Sequence, residues 1–241
     1  MKSSANPRPL IENKLLAALP PEDYQRLLPH LEFVSLARSQ VIYDAGEPID
    51  YIYFPTQAII SVVALMEDGA MIEVAVIGTE GMTGIPTCWG NNTSNQQVMV
   101  QIPGNGARIS AQVLKTEFER GGALQNLVLH YTNALFSQAA QSAACNKLHK
   151  LEQRLARWLL TVDDRIELDA LPLTQEFLSH MLGTRRSGVT EAANILSQAG
   201  IIHYIRGKIT ILCREKLESA SCECYQAVKD EFARLVAPKH R

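Results

Sequence analysis

Short hydrophobic runs alternate with turn-forming residues between residues 33 and 109. The runs are three to seven residues long and rich in Val, Ile and Tyr, and clusters of Gly, Asp and Pro separate them. Asp68-Gly69 stands between two of the runs, which is a strong hairpin signal. Many short strands without intervening helices predict an antiparallel sandwich or barrel. The predicted strands occupy residues 41–43, 51–54, 59–65, 71–77 and 97–102.

The pattern becomes helical after the strands. Residues 123–146 contain no Gly, Pro or charged side chain, and apolar residues recur there every three or four positions. A helix that is uncharged all round needs cover on several sides, which its own domain and a second copy of the chain can provide. A buried helix in a monomer is the alternative. Because small residues allow close helix approach, we expect a dimer that uses Leu124, Leu127, Val128, Tyr131, Leu135, Gln138 and Ser142.

Two further stretches have helical periodicity. Leucines at helix-like intervals predict a helical lead-in at residues 10–31, which Pro20 and Pro21 interrupt. Residues 147–162 form a second amphipathic pattern, and residues 163–173 form a candidate loop.

The stretch from residue 173 to residue 198 predicts two short helices joined by a glycine. Thr174 is suited to cap the first, and Gly183 tolerates the left-handed conformation that a tight turn requires. Thr184 is suited to cap the second helix, residues 185–198. This is the layout of a helix-turn-helix, whose second helix enters the DNA major groove. We expect the second helix to pack through Val189, Ala192, Ala193, Ile195 and Leu196 and to expose Arg185, Arg186, Ser187, Thr190, Glu191 and Asn194.

A hairpin with a basic tip follows. Two apolar runs, residues 201–205 and 209–212, flank Arg206-Gly207-Lys208. A hairpin in this position is a wing, and its cations are suited to contact DNA phosphates.

Length and charge distribution favour two functional units. The 241 residues exceed the usual size of one domain. Residues 1–122 contain 13 acidic and 8 basic side chains, whereas residues 147–214 contain 7 acidic and 10 basic ones. A basic unit beside an acidic one suits a polyanionic partner at one end only. We therefore divide the chain into a sensor domain, a dimerisation helix and a DNA-binding domain, at residues 1–122, 123–146 and 147–241.

Residues 151–212 resemble the DNA-binding domain of the Crp/Fnr family of bacterial regulators. The resemblance rests on Thr174, Gly183, Arg185, Arg186, Val189, Leu196, residues 200–202 and the wing at residues 206–208. Residues 44–47 and 51–53 resemble the β-roll of that family more loosely, and residues 76–82 resemble the passage that leads into its effector pocket. The resemblance extends from about residue 12 to residue 215.

The resemblance implies an α+β fold and a DNA-binding function. The fold would comprise an N-terminal antiparallel β-roll (a cupin-like jelly roll), a long dimerisation helix and a C-terminal winged helix-turn-helix. The dimer would place two reading helices about 34 Å apart on double-stranded DNA, and RNA polymerase is a further expected partner. Arg186 falls at the guanine-contacting position, and Ser187 and Glu191 fall at the other base-facing ones. The expected DNA-binding residues are Thr174, Thr184, Arg185, Arg186, Ser187, Thr190, Glu191, Arg206 and Lys208.

The cyclic-nucleotide signature of the family is incomplete in this chain. Its cyclic-nucleotide binders use Gly-Glu-Leu followed by an Arg-Ser/Thr pair, whose arginine neutralises the phosphate. Here Thr79 follows Gly78, Glu80 is offset by one position, and residues 91–97 contain no basic side chain. We expect an effector other than cyclic AMP, a small molecule or a redox signal. The candidate pocket residues are Gly78, Thr79, Glu80, Asn95 and Gln96.

The five cysteines do not indicate disulfides or a standard metal module. Their odd number and irregular spacing favour reduced thiols in a cytoplasm. Cys213, Cys222 and Cys224 could form a thiolate site with His203, but ordinary buried cysteines are the expectation. His30 is the sole histidine before the long helix, which disfavours haem. We expect neither a metal nor another cofactor.

Other function classes find less support in the sequence. A metal-dependent oxygenase needs clustered histidines that residues 1–122 lack, and no nucleophile elbow, P-loop or dinucleotide fingerprint is present. We therefore expect no enzymatic activity. No apolar run reaches the length of a membrane span or a signal peptide, so we expect a cytoplasmic protein. The alternative function is a β-roll adaptor that senses an effector and binds proteins without DNA affinity.

Overall fold

A computed structural model describes residues 12–166 and 168–236. Outside this range lie residues 10 and 11, which begin the predicted lead-in. The outer ends of the first and last predicted domains also lie outside it. The lead-in is helical on both sides of its prolines, with α1 at Lys14–Ala17, α2 at Pro21–Leu27 and a 3₁₀ turn at Leu28–His30. The side chain of Asn13 caps α1 by accepting hydrogen bonds from the backbone N–H groups of Leu15 and Leu16.

In the described part of the N-terminal region, seven strands form two antiparallel sheets, which confirms the prediction that this region is rich in β-strands. The three-stranded sheet has the order β1-β7-β3 and the four-stranded sheet the order β2-β6-β4-β5. Asp68 and Gly69 lie in the hairpin between β4 and β5, as predicted. The strands are β1 (Glu32–Leu36), β2 (Val41–Tyr43), β3 (Tyr51–Pro55), β4 (Ile59–Leu65), β5 (Met71–Ile77), β6 (Gln97–Ile102) and β7 (Gly104–Ser110).

The four-stranded sheet has a different partner on each face. Successive side chains of a strand point to opposite faces, and in β4 the side chain of Ile60 packs into the core between the sheets. Ile59 and Val63 point the other way, into an apolar cluster with helices of the C-terminal region. Both faces of this sheet are therefore apolar along β4, which explains its continuous hydrophobic run.

Three helices follow or interrupt the strands: α3 (Ile85–Cys88), α4 (Ala111–Glu119) and α5 (Ala123–Leu148). The long helix α5 packs against the β-roll through one face. Tyr131 donates a hydrogen bond from its hydroxyl to the carbonyl of Met82 at 2.9 Å, and Gln138 Oε1 accepts one from the backbone N–H of Val76 at 2.8 Å. These bonds fix the rotation of α5 about its own axis.

The C-terminal region is built around α6 and Trp158. Trp158 is 2% exposed and packs in the second apolar cluster with the helices and strands that follow. The last helix returns to α5, where Phe232 meets Tyr131 edge-on at 6.3 Å between ring centroids. The elements are α6 (Leu151–Asp163), α7 (Gln175–Met181), α8 (Arg186–Gln198), β8 (Ile202–Ile205), β9 (Lys208–Ile211), α9 (Arg214–Ala220) and α10 (Cys224–Val236).

The C-terminal region docks directly on the four-stranded sheet. Trp158 Nε1 donates a 2.7 Å hydrogen bond to the carboxylate of Glu73 on β5, and Arg38 donates to the carbonyl of Pro172 at 2.7 Å. The apolar cluster of Ile59 and Val63 continues this contact. The described helices include none with the length and apolarity that crossing a membrane requires.

Candidate nucleic-acid interface

The first helix of the predicted helix-turn-helix starts as its sequence predicts. Thr174 has extended backbone angles, and its Oγ1 accepts a 3.1 Å hydrogen bond from the backbone N–H of Phe177. This bond satisfies one of the unpaired donors at the start of α7. Leu178 and Met181 of α7 are buried, whereas Thr174 itself is exposed.

The turn between α7 and α8 depends on Gly183. Its φ of +56° lies in the left-handed region, and a Cβ there would come within 2.5 Å of Ile72 Cδ1 on β5. The backbone N–H of Thr184 bonds to the carbonyl of Ser179 at 2.9 Å, and the guanidinium of Arg154 bonds to the carbonyl of Leu182. The turn is therefore held by its own backbone, by α6 and by the β-roll.

The start of α8 corrects one prediction. The helix begins at Arg186 with Arg185 at the N-cap position, and no side chain caps it. Thr184 lies one residue too early to act as the cap, although it is half-buried in the turn. Arg185 and Arg186 thus lie at a helix N-terminus whose partial charge is also positive. This repulsion is unfavourable in the free protein and favours the binding of an anion nearby.

The two faces of α8 follow the prediction with two exceptions. Val189, Ala192, Ala193 and Leu196 are buried, but Ile195 is 44% exposed and does not belong to the packing face. Thr190 is half-buried, and its hydroxyl lies 3.0 Å from both Gln175 Oε1 on α7 and the carbonyl of Arg186. The exposed side chains of α8 and its N-cap include Arg185, Arg186, Ser187, Glu191 and Asn194.

The predicted wing is present and lies beside the start of α7. β8 and β9 form an antiparallel pair in which Ile202 lies opposite Ile211 and Ile205 lies opposite Lys208. Arg206 and Gly207 form the two-residue turn between them, with positive φ angles of 48° and 75°. Positive φ at both positions is typical of a type I′ hairpin turn. A Cβ on Gly207 would lie 3.4 Å from Thr174 Cγ2, so the wing turn and the α7 cap are neighbours.

The wing is also close to the N-terminus of α8. Tyr204 donates a hydrogen bond to the carbonyl of Leu173 at 3.0 Å. Burial raises the pKa of Tyr204, and the positive charge of Arg186 acts in the opposite direction. The charge of Arg186 therefore acts on Tyr204 of β8, which indicates that the start of α8 lies close to the wing.

The cations of this region are unpaired. In residues 12–166 and 168–236, none of the four basic side chains at the start of α8 and in the wing forms an ion pair with a carboxylate. By contrast, Arg214 on the neighbouring α9 pairs with Asp163, Asp164 and Glu218. Exposed cations without internal partners are available to phosphates. The four are Arg185, Arg186, Arg206 and Lys208.

A cavity of about 270 Å³ lies between the β-roll and α5. Most of its lining is apolar, and no Asp, Glu, Lys or Arg side chain contributes to it. Of the five predicted pocket residues only Gln96 lines this cavity; Asn95 is exposed outside it. Its helical wall includes Leu135, Phe136 and Ala139 of α5.

The other predicted pocket residues lie toward the C-terminal helices. Glu80 is paired with Arg165 at 2.6 Å, and its Oε1 also accepts a hydrogen bond from the backbone N–H of Gly78. The carbonyl of Thr79 accepts a 2.6 Å bond from the backbone of Lys14. Glu80 therefore connects the β-roll to the segment after α6, and Thr79 connects it to α1. None of these residues lines the cavity.

The predicted dimerisation residues require a correction. Five of the seven point into their own chain and are at most 7% exposed, so they are not available to a second copy: Leu124, Val128, Tyr131, Gln138 and Ser142. Leu127 and Leu135 are half-buried, and both pack against the N-terminal core. The exposed positions of α5 include a different stripe with alternating spacings of three and four residues, namely Asn126, Leu129, Asn133, Phe136, Ala140 and Ala143.

Comparison with known proteins agrees with this geometry. The family model described as a Crp-like helix-turn-helix domain matches residues 153–220. Among proteins with curated functions, none matches the sequence. FixK2 from Bradyrhizobium japonicum superposes with a TM-score of 0.69 at 17% identity, over 80% of this chain and 98% of that one.

Two further solved structures have the same fold. The c-di-GMP-responsive global regulator CLP from Xanthomonas campestris has a TM-score of 0.66 at 15% identity, over 80% of this chain and 100% of its own. A Crp/Fnr-family transcriptional regulator from Thermus thermophilus has a TM-score of 0.63 at 19% identity, over 79% of this chain and 98% of its own. Residues 153–220 therefore match the Crp-like helix-turn-helix family, and the chain shares the overall fold of these solved structures.

Proposed function

We propose that the protein is a dimeric, sequence-specific DNA-binding transcription regulator that inserts α8 into the major groove. The observation that carries the proposal is the group of unpaired cations at the start of α8 and in the wing. Arg186 would read a guanine edge, with Ser187 and Glu191 at the neighbouring bases. Arg206 and Lys208 would hold the flanking phosphates, as would the backbone around Thr174 and Thr184.

The proposed dimer uses the exposed stripe of α5. Phe136 is 71% exposed and Leu129 is 46% exposed. Small residues follow them at Ala140 and Ala143, so two copies of α5 could approach closely toward their C-terminal ends. The alternating spacing of the stripe is that of a coiled-coil contact. The two α8 helices would then lie about one DNA turn apart, roughly 34 Å.

The proposed effector is not cyclic AMP. The 270 Å³ cavity beside α5 holds no basic side chain that could neutralise a phosphate. Burying an unpaired phosphate would be costly, so an uncharged, mostly apolar small molecule fits better. Titration calorimetry with cyclic AMP, and with the c-di-GMP to which the Xanthomonas relative responds, should show no saturable binding. Tight binding of either nucleotide would contradict this part of the proposal.

Selection of bound duplexes from a random pool tests the central proposal. We expect an inverted repeat whose half-site centres lie about one turn apart. Arg186→Ala should remove the preference for one base pair in each half-site and cost about 1–3 kcal/mol against the selected site. Arg234→Ala, which removes an exposed arginine of α10 that pairs with Glu231, is the matched control and should leave the selected site unchanged.

Salt dependence separates this function from that of a protein-binding adaptor. A regulator that neutralises phosphates loses affinity steeply as salt rises. Failure to shift any duplex at low ionic strength would contradict the proposal and favour the adaptor. We further infer that the chain acts by binding rather than catalysis and that it recruits or blocks RNA polymerase, since the relatives it superposes on are transcription regulators.

A further inference from the structure

Three cysteines and a histidine that are far apart in the sequence meet where α5 ends. Cys145 and His149 lie one helical turn apart at the C-terminal end of α5, and Cys222 and Cys224 lie at the start of α10. One ligand atom from each of the four residues lies within 4.8 Å of all the others. The three thiols are buried and His149 is partly buried.

The distances fit four ligands around a single ion. Cys145 Sγ and Cys222 Sγ are 3.5 Å apart, and Cys224 Sγ and His149 Nδ1 are also 3.5 Å apart. A tetrahedral ion with sulfur at about 2.3 Å and nitrogen at about 2.0 Å separates two sulfurs by about 3.8 Å and sulfur from nitrogen by about 3.5 Å. A disulfide would need the two sulfurs at about 2.05 Å. These two distances are close to the tetrahedral values, and the remaining ligand–ligand distances are at most 4.8 Å. The arrangement therefore suits a mononuclear site with four protein ligands.

The groups around the cluster support the same interpretation. His149 Nε2 lies 3.2 Å from the carboxylate of Glu223, which favours the tautomer whose Nδ1 lone pair faces Cys224. A histidine that ligates a metal commonly donates its other ring N–H to a carboxylate in this way. Gln141 Nε2 donates to Cys224 Sγ at 3.0 Å, as a partner of a thiolate would.

The local charge also suits a metal thiolate. Three thiolates and a neutral imidazole around a divalent ion carry a net charge of −1. Arg154 and Arg157 of α6 are buried, each 8% exposed, and the charge of each acts on Cys145. The Nε atoms of both arginines are buried without hydrogen-bond partners. Buried cations of this kind need a compensating anion, and the loaded site would supply one.

We propose that Cys145, His149, Cys222 and Cys224 bind one divalent ion of the zinc class in a closed tetrahedral site. Binding releases the three thiol protons to solvent, and the ion keeps its oxidation state. Four protein ligands leave no open position, which is typical of a structural site. The ion holds the end of α5 against α10, directly before α6 begins the DNA-binding region. It thereby fixes the angle between the long helix and the helix-turn-helix.

This site differs from the thiolate group that the sequence suggested. The cluster includes Cys222 and Cys224, but Cys145 and His149 take the places that Cys213 and His203 had in that alternative, whereas ordinary buried cysteines were the expectation. The sequence did contain one signal for this site. Cys145 and His149 are four residues apart, which puts both side chains on one face of a helix.

Metal analysis of the full-length protein tests the proposal. The chain is purified under reduction, without chelators or a histidine tag, and its metals are measured by mass spectrometry. We expect about one zinc per chain. Cys145→Ser and Cys222→Ser should lose it, whereas the matched Cys213→Ser and Cys88→Ser variants should retain it. Glu223→Gln should weaken zinc binding about 10–100-fold in competition with a chromophoric chelator.

Cobalt substitution of the wild-type protein tests the proposal even if the cysteine variants fail to fold. Reduced, metal-free wild-type protein titrated with Co²⁺ should develop the visible absorption of tetrahedral cobalt thiolate at one equivalent, and Zn²⁺ should abolish it. The proposal is overturned if wild-type protein neither retains zinc nor gives this spectrum, or if Cys213→Ser loses metal as Cys222→Ser does. An iron–sulfur chromophore, or a Cys145–Cys222 disulfide in freshly reduced protein, would also overturn it.

Discussion

Replacing the buried carboxylate of Glu73 should change how stability depends on pH. Glu73 lies on β5, is 8% exposed, and connects the β-roll to α6. Its carboxylate accepts hydrogen bonds from Ser61 Oγ at 2.6 Å and from Trp158 Nε1 at 2.7 Å. Burial raises its pKa from 4.5 to about 7, although both hydrogen bonds and the charges of Arg157 and Arg165 act to lower it.

The sign and size of the pH effect on stability follow from this pKa shift. The folded-state pKa of Glu73 is above the unfolded value, so the folded protein binds the proton more tightly. The resulting stabilisation is fully present below pH 4.5 and is lost as the pH rises through about 7. At about 1.4 kcal/mol per pKa unit, the loss amounts to about 3 kcal/mol.

Glu73→Gln should remove this dependence while keeping the contacts. A neutral amide can accept from Trp158 through its oxygen and donate to Ser61 Oγ through its nitrogen. The Ser61 hydroxyl can then donate to Gln101 Oε1, which lies 2.8 Å away. The variant should come within about 1 kcal/mol of wild-type stability near pH 5 and exceed it by about 3 kcal/mol near pH 8.

Urea unfolding followed by tryptophan fluorescence measures the effect at pH 5 and pH 8. The chain has two tryptophans; Trp158 is buried at the interface, whereas Trp89 is 57% exposed. Protein concentration must be held constant because association of the proposed dimer would contribute to stability. Glu67→Gln, at an exposed position in the β4–β5 hairpin, is the control and should follow wild type at both pH values. If Glu73→Gln is less stable than wild type at pH 8, the reasoning is refuted.

Three further predictions concern the dimer, the turn and the wing. Phe136→Glu should convert the proposed dimer to monomers in light scattering, because it puts a charge into the proposed contact. Phe33→Glu, at a 74% exposed position of β1, should not. Gly183→Ala should destabilise the protein by about 1–2 kcal/mol through its positive φ, measured as a shift in the urea midpoint. Adding Ile72→Val removes the Cδ1 atom that would clash with the new Cβ. The double variant should therefore recover only the part of the lost stability that the clash causes. Arg206→Ala should weaken binding to all duplexes about equally and reduce the slope of log K against log salt by about 1.

Each of these predictions has a result that contradicts it. A dimer that survives Phe136→Glu would place the interface elsewhere on the molecule. Gly183→Ala with unchanged stability would mean that the turn has a different conformation. If Arg206→Ala altered the selected sequence while leaving the salt slope unchanged, the wing would read bases instead of phosphates; Arg234→Ala again provides the control.

The elements that could be predicted are those whose signals are local. The helix-turn-helix follows from Thr174, Gly183 and the periodicity of residues 185–198, because capping, turn geometry and amphipathicity depend on neighbouring residues. The same is true of the wing around Gly207 and of the strands, whose hydrophobic runs are interrupted by turn residues. The family model over residues 153–220 and the β-roll confirm these interpretations.

The arrangement of those elements was decided by tertiary contacts. The sequence showed that α5 needs cover on several sides, but not which element covers which face. Tyr131 and Gln138 pack against the β-roll and leave Phe136 exposed. For the same reason, Ile195 looks like a core residue by spacing alone, although it is 44% exposed in the fold.

Side chains far apart in sequence also acquired their roles only in the fold. Glu80 was assigned to a pocket, but it pairs with Arg165, 85 positions later. Cys145 lies 77 positions from Cys222, so no spacing rule could join them. Sequence by itself determined the five predicted strands, the long helix, the helix-turn-helix and the wing, because those depend on short-range backbone and side-chain preferences. The inner face of α5, the Glu73 contact and the cysteine cluster depend on how those segments pack, which only the three-dimensional structure decided.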